Sequence, residues 1–332
     1  YRLDRNQLVD SSCPHLASGI RTNQTLRILS LSYNNLQGPH FCDLMAALTT
    51  SRIEQLHLVN THLTDSSCPH LTSGIRNNQT LRTLNLSYNN LDGCHFSDLM
   101  AALTTSRIEE LHLYNNHLTD SSCPHLASGI RNNQTMRTLD LSHNNLQGPH
   151  FRDLMEALTT SQIEELHLYD KHLTDSSCPH LASAIRNNQT LRILDLSMNN
   201  VEGPYFRDLM EALTTSRIEE LHLDRNHLTH SSCPHLTSGI RNNQTLRKLN
   251  LNENNLEGPH FSDFMAALTT SQIEELHLSD NHLTDSSCPH LASGIRNNQT
   301  LRTLDLSWNN LEGPNFRDLM EALTTSRIEE LQ

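Results

Sequence analysis

Aromatic residues make up only 4% of this 332-residue chain, with a single Trp. Any core must therefore be filled mainly by aliphatic side chains. No apolar run approaches the roughly 18 residues of a membrane-spanning helix, so no membrane span is expected. Basic residues are also short: 24 Lys and Arg stand against 37 Asp and Glu, a net charge of −13. A nucleic-acid surface wants a basic face, so general nucleic-acid binding is not expected. Zinc-type C-x2-C spacings are missing. So are a glycine-rich phosphate loop and a nucleophile elbow. No signal-peptide pattern is visible.

What the chain has instead is repetition. "SSCPHL" begins at Ser11 and begins again at Ser66, Ser121, Ser176, Ser231 and Ser286, each 55 residues after the last. Leu26, Leu81, Met136, Leu191, Leu246 and Leu301 open segments such as "LRTLDLSWNNL". Ile53, Ile108, Ile163, Ile218, Ile273 and Ile328 open a second kind, such as "IEELHLYNNHL". The steps between the two kinds are 27 and 28 residues, so the unit is a pair of related repeats, A and B. Both fit L-x-x-L-x-L-x-x-N-x-L, the leucine-rich repeat signature. Leu301, Leu304, Leu306, Asn309 and Leu311 fill it in an A repeat; Ile108, Leu111, Leu113, Asn116 and Leu118 fill it in a B repeat.

Repeats of these lengths, alternating in two types, resemble the ribonuclease-inhibitor-like leucine-rich repeat family. Phrases such as "LTDSSCPHLASGIRNNQTMRTLDLSHNNL" are most similar to the repeat arrays of NOD-like innate immune receptors. The resemblance covers the whole chain. It implies an α/β solenoid, a horseshoe of about 11–12 repeats with a parallel sheet on the concave face and helices on the convex face. The residues support this independently. Leucines alternate with exposed positions at the start of each repeat, the pattern of a short strand. Phe151, Leu154, Met155 and Leu158 then fall at i, i+3, i+4 and i+7, one face of an A helix. Cys123, Leu126, Ala127 and Ile130 do the same in a B helix.

This spacing bears on the Cys-Pro-His motif. Cys123 belongs to the apolar face, Pro124 suits the first helical turn, and His125 lies about 200° round from the cysteine at 100° per residue. Cysteine and histidine thus diverge and do not share a ligand. Equivalent cysteines are two helices apart, about 16–20 Å, whereas a disulfide needs Cα atoms within about 7 Å. The expectation is a buried structural cysteine, with a redox thiol as the alternative. Cys42 and Cys94 are sporadic extras near the start of A helices. No metal and no cofactor are expected.

The array is expected to be a single unit, 1–332. Both ends fall inside B strands without polar caps, which suggests a piece of a longer array. Unpaired cysteines favour a reducing, cytoplasmic compartment. Against this, "NQT" recurs at Asn23, Asn78, Asn133, Asn188, Asn243 and Asn298, each a formal glycosylation sequon. An extracellular, glycosylated protein is therefore the alternative. The segment also suits a helix end and turn.

Differences between the copies concentrate at the strand ends. Before the signature Asn of the A repeats stand Tyr33, Tyr88, His143, Met198, Glu253 and Trp308. After the last strand leucine of the B repeats stand Val59, Tyr114, Tyr169, Asp224 and Ser279, followed by Asn60, Asn115, Asp170, Arg225 and Asp280. Tyr, Trp, Met and Arg are common interface anchors, so these positions are read as a diversified ligand-binding surface. Relaxed drift on a solvated face is the competing reading. Two inner-face rows barely vary. Glu110, Glu165, Glu220 and Glu275 form an acidic row; His112, His167 and His222 belong to a histidine row with His57 and His277. Strands about 4.8 Å apart should set His112, Asp140, His167, Asp195 and His222 in a lateral ladder. The expectation is exposed cross-strand pairing and no metal. The signature asparagines are read as scaffold that satisfies loop backbone groups; Thr61 and Lys171 depart from that pattern.

Each residue type suited to catalysis is copied five or six times, whereas an active site is unique, so no enzyme is expected. The residues point to a non-catalytic module that binds a protein, with a basic patch facing the acidic row. The resemblance implies the sensing or autoinhibitory part of an innate-immune-type receptor. A regulator of an enzyme, resembling ribonuclease inhibitors or Ran GTPase-activating proteins, is the alternative. Oligomeric state is not legible.

Overall fold

The computed structural model describes residues 1–169 and 172–332. Asp170 and Lys171, a variable position and a departure from the asparagine pattern, lie outside the described residues. The chain divides into two compact units, Tyr1–Leu168 and Tyr169–Gln332.

In the first unit helices alternate with strands: α1 (Cys13–Thr22), β1 (Ile28–Ser30), α2 (Phe41–Leu48), β2 (Gln55–His57), α3 (Cys68–Arg76), β3 (Thr83–Asn85), α4 (Phe96–Leu103), β4 (Glu110–His112), α5 (Cys123–Arg131), β5 (Thr138–Asp140), α6 (Phe151–Leu158) and β6 (Glu165–His167). Each strand pairs in parallel with the next, from β1 to β6. The second unit repeats the scheme with α7 (Cys178–Asn187), β7 (Ile193–Asp195), α8 (Phe206–Leu213), β8 (Glu220–His222), α9 (Cys233–Arg241), β9 (Lys248–Asn250), α10 (Phe261–Leu268), β10 (Glu275–His277), α11 (Cys288–Asn297), β11 (Thr303–Asp305), α12 (Phe316–Leu323) and β12 (Glu330–Leu331). Its strands β7 to β12 are again parallel and in order. This is the expected leucine-rich repeat architecture.

The core sits between strands and helices of each unit, because every element is apolar on one side only. Leu111 of β4 and Leu113 just after it are buried, as are Phe151, Leu154, Met155 and Leu158 of α6. Phenylalanine is concentrated here: Phe41, Phe96, Phe151, Phe206 and Phe261 are fully buried at the start of their A helices. Gly129 marks a tight helix approach, since a Cβ there would lie 3.1 Å from the Met100 carbonyl oxygen. The Cys-Pro-His motif sits as its spacing indicates. Cys123 opens α5 and is buried, with Pro124 in the first turn. A short 3-10 turn, Asp120–Ser122, leads in. Burial pushes the Cys68, Cys123 and Cys233 thiols up to about 12, so thiolate chemistry is suppressed at neutral pH.

The sequons are corrected by their surroundings. Asn78, Asn133, Asn188, Asn243 and Asn298 are all buried. The Nδ2 of Asn133, the atom a glycan would occupy, donates to the Leu103 carbonyl at 2.6 Å. Its Oδ1 accepts from Thr135 and Met136 N–H at 2.8 and 2.6 Å. Asn78, Asn243 and Asn298 make the same inter-repeat bond. These residues staple the end of one repeat to the helix before it. Asn23, in the first copy, is half-buried, and its Oδ1 accepts the Thr25 and Leu26 N–H groups at 2.9 and 2.8 Å. In the other five copies the sequon asparagine is a structural residue.

Candidate recognition face of the sheet

The side chains between the strand leucines point away from the helices and line the open face of the sheet. Glu110 is exposed, and Glu165, Glu220 and Glu275 are half-buried. His112, His167 and His222 are half-buried beside them. The register in the first unit pairs His57 with Asn85, Asn85 with His112, His112 with Asp140, and Asp140 with His167. In the second it pairs Asp195 with His222, His222 with Asn250, Asn250 with His277, and His277 with Asp305. The expected lateral alternation is therefore present within each unit.

These rows interact along and across strands. His112 Nδ1 lies 3.9 Å from Asp140, and its Nε2 lies 3.9 Å from Glu110 on its own strand. His222 is 3.7 Å from Glu220. Lys248 sits 3.5 Å from Glu275 and neutralises part of the acidic row there. Burial pushes the Asp140 carboxyl up, but the His112 imidazole beside it, hydrogen bonds from Ser142 and the nearby His167 charge outweigh it and hold the group below its ordinary range. Burial, reinforced by the His112 charge, lowers His57 below the usual imidazole value. At neutral pH the row offers carboxylate acceptors beside imidazole donors, a surface suited to cationic and hydrogen-bonding groups.

The variable residues lie just past the strands, and here the structure goes beyond strand alternation. Strict alternation would turn Tyr33 and its counterparts toward the core. They adopt the left-handed conformation instead, with φ of 59° at Tyr33, 58° at Tyr88, 57° at His143, 56° at Met198, 52° at Glu253 and 58° at Trp308. The reversal sends the variable side chain outward and the following asparagine inward. Asn60, Asn115, Arg225 and Asp280 are likewise left-handed, with φ of 50–56°. This conformation costs roughly 1–2 kcal/mol for a residue with a Cβ. The neighbouring repeat holds it in place: Tyr88 N–H donates to the Tyr114 carbonyl at 2.8 Å, and Met198 N–H to the Asp224 carbonyl at 2.8 Å.

The outward side chains meet one another along the row. In the first unit the Tyr88 and Tyr114 rings are 4.9 Å apart, and Tyr114 and His143 are 5.0 Å apart. The Arg5 guanidinium lies 4.6 Å over the Tyr33 ring. Val59 is half-buried beside them. In the second unit the row is mixed: Arg225 pairs with Glu253 and lies 3.6 Å from the Met198 sulfur. Asp224 and Asp280 are half-buried, as is Tyr169. Trp308 is 87% exposed, the most exposed large apolar side chain of the described residues. Sequence alternation misses the left-handed turns because their cause is a carbonyl contributed by the next repeat.

The model of the family described as "Leucine Rich repeat" matches residues 22–39, 77–93, 132–149, 187–204, 242–259, 273–288 and 297–314. Ribonuclease inhibitor of Sus scrofa is 31% identical over 98% of this chain and 75% of its own length. Ribonuclease inhibitor of Mus musculus is 30% identical over 97% of this chain and 73% of its own length. NACHT, LRR and PYD domains-containing protein 12 of Homo sapiens is 28% identical over 97% of this chain, which spans 31% of that protein. Among solved structures, an internalin of Listeria monocytogenes superposes with a TM-score of 0.54 at 15% identity, covering 98% of this chain and 96% of that one, a likeness of fold alone. By repeat pattern, strand–helix architecture and identity along nearly its whole length, the chain belongs to the ribonuclease inhibitor family of leucine-rich repeat proteins.

Proposed function

We propose that residues 1–332 form one leucine-rich repeat array whose work is non-catalytic recognition of another protein through the open face of its sheet. The observation that carries this reading is the left-handed row. Large aromatic side chains occupy exposed positions whose backbone conformation disfavours them, and strain of this kind persists where function uses it. The partner presents a basic patch to Glu110, Glu165, Glu220 and Glu275, while Tyr88, Tyr114 and Trp308 supply apolar anchors. Similarity to ribonuclease inhibitors and to NACHT, LRR and PYD proteins supports a role in sensing or restraining a partner, in the manner of a receptor's regulatory repeats. The buried free thiols and the hydrogen-bonded sequon asparagines support a cytoplasmic setting.

The test is affinity capture with wild type beside a variant carrying Tyr88→Ala, Tyr114→Ala and Trp308→Ala. The expected result is loss of the partners that wild type enriches, with circular dichroism unchanged. Equal recovery by the variant argues against the sheet face. Charge reversal at Glu110 and Glu165 separates the acidic contribution from the aromatic one.

A further inference from the structure

One group of side chains outside the sheet face brings metal-ligating atoms together. Each B helix is preceded by a short turn that carries an aspartate in five of six copies, and in several repeats it caps the next A helix. Asp120 Oδ1 accepts the His150 and Phe151 N–H groups at 2.9 and 3.0 Å; Asp175 serves Tyr205 and Phe206 in the same way. Asp65 keeps this duty, its Oδ1 accepting the His95 N–H at 2.8 Å. Gly93 gives the carboxylate room, because a Cβ there would fall 2.3 Å from Asp65 Cγ. The second oxygen of Asp65 is uncommitted to the helix, and what faces it differs in this copy. Five copies have proline at the next position, Pro39, Pro149, Pro204, Pro259 and Pro314; this one has Cys94. Cys94 Sγ lies 3.7 Å from Asp65 Oδ2. With the His95 ring, the three ligand atoms all lie within 4.8 Å of one another, the one such group among the described residues.

We propose that Asp65, Cys94 and His95 form a site for a zinc-type divalent cation, with solvent as the fourth ligand. Tetrahedral zinc has Zn–S near 2.3 Å and Zn–N or Zn–O near 2.0 Å, so its donors stand about 3.3–3.8 Å apart. The Asp65–Cys94 separation already meets that value, and the exposed Cys94 and His95 side chains are free of core packing that would hold them apart. The start of α4 carries a partial positive charge that repels a cation. The Asp65 carboxylate and the Cys94 thiolate together balance the two positive charges of the metal. The backbone bond fixes the orientation of Asp65, and the Asp98 carboxylate lies 3.8 Å from His95 Nδ1, the kind of neighbour that orients a ligating imidazole. Binding releases the Cys94 S–H proton to solvent and forms the metal–sulfur bond, so occupancy falls as pH drops. The sheet-face histidines, by contrast, sit among carboxylates without a thiol. This site is independent of partner recognition.

The chain's own repeats supply the controls. Cys94→Pro and His95→Asn install residues that equivalent positions already carry at Pro149 and Asn315. Reduced, metal-free full chain is titrated with Co2+ and followed by absorbance, then back-titrated with Zn2+. One equivalent of Co2+ is expected to produce a thiolate-to-cobalt charge-transfer band that Zn2+ erases. Cys94→Pro and Cys94→Ser should abolish the band, and His95→Asn should weaken Co2+ binding at least tenfold. Absence of the band in wild type, or its persistence in both Cys94 variants, overturns the proposal. A band lost instead in Cys42→Ser, at the other exposed cysteine, does so as well.

Discussion

Asn144 organises five backbone groups with one amide, the Ser142 carbonyl at 3.1 Å among them. Its Oδ1 accepts the Asn116 and Leu118 N–H groups at 3.0 and 2.9 Å, and its Nδ2 donates to the Leu113 and Leu141 carbonyls at 2.9 and 2.8 Å. All of this happens in a buried loop, where unpaired polar groups cost about 1–3 kcal/mol each. Asn144→Ala is therefore expected to lower stability by about 3 kcal/mol or more, read as a fall in the urea midpoint. Thr61 shows what is lost when the asparagine is absent: its hydroxyl reaches the Leu58 carbonyl at 2.8 Å within its own repeat, whereas Asn116 reaches back to the Leu86 carbonyl of the preceding one at 3.0 Å. Asp224 gives a pH prediction. Burial pushes its carboxyl up; the Ser197 hydrogen bond pulls it down, and the neighbouring Asp195 charge raises it further. The Ser197 hydroxyl sits 2.5 Å from Asp195 and 2.6 Å from Asp224, and its single proton cannot serve both. A folded-state value above the unfolded one means the stabilising contribution is present at low pH and is lost as pH rises through the folded value. Asp224→Asn should therefore melt higher than wild type at pH 7, with the gap closing as pH falls into the carboxylate range near 4.

At the scale of elements, α10 lacks the cap that serves α4, α6, α8 and α12. His230 stands where the other copies have aspartate. Its ring lies 5.7 Å from the His260 ring, and its Nδ1 is buried with no hydrogen-bond partner. An imidazole in this place neither accepts the leading N–H groups of α10 as a carboxylate does nor complements the positive end of the helix. His230→Asp is expected to stabilise the protein by about 1 kcal/mol, checked by thermal melts at neutral pH. The strand-to-loop turns are the second informative element. Glycine occupies a positive φ without penalty, so Trp308→Gly should raise stability by about 1 kcal/mol while weakening partner capture. A variant that loses both stability and binding would make Trp308 a packing residue instead.

At the scale of the whole molecule, the net charge of −13 governs encounter rather than fold. The proposed partner, with its basic patch, would be drawn in by the summed field, and salt screens such attraction over about 10 Å at 0.1 M. The association rate with the captured partner should therefore fall steeply with added NaCl, while the dissociation rate, set by the aromatic anchors, changes little. Stopped-flow or surface-binding kinetics across a salt series reads both; a salt-independent association rate would falsify the electrostatic component.

Periodicity in the residues was enough to determine the repeat length, the helix faces, the strand register and the burial of the Cys-Pro-His cysteines. These follow from local spacing, because each copy buries the same leucines against the next. Which letters vary was legible too. Tertiary structure alone decided where the variable side chains point. The left-handed turn at Tyr88 depends on a carbonyl 26 residues away at Tyr114. The same is true of the sequons: "NQT" reads as a glycan acceptor until Asn133 is seen bonded to Leu103, 30 residues earlier. Asp65, Cys94 and His95 belong with these cases, since the turn of one repeat and the helix of the next become neighbours only when the repeats stack. A solenoid writes its core in adjacent residues, but its polar contacts join residues one repeat apart, and only the folded stack makes that distance short.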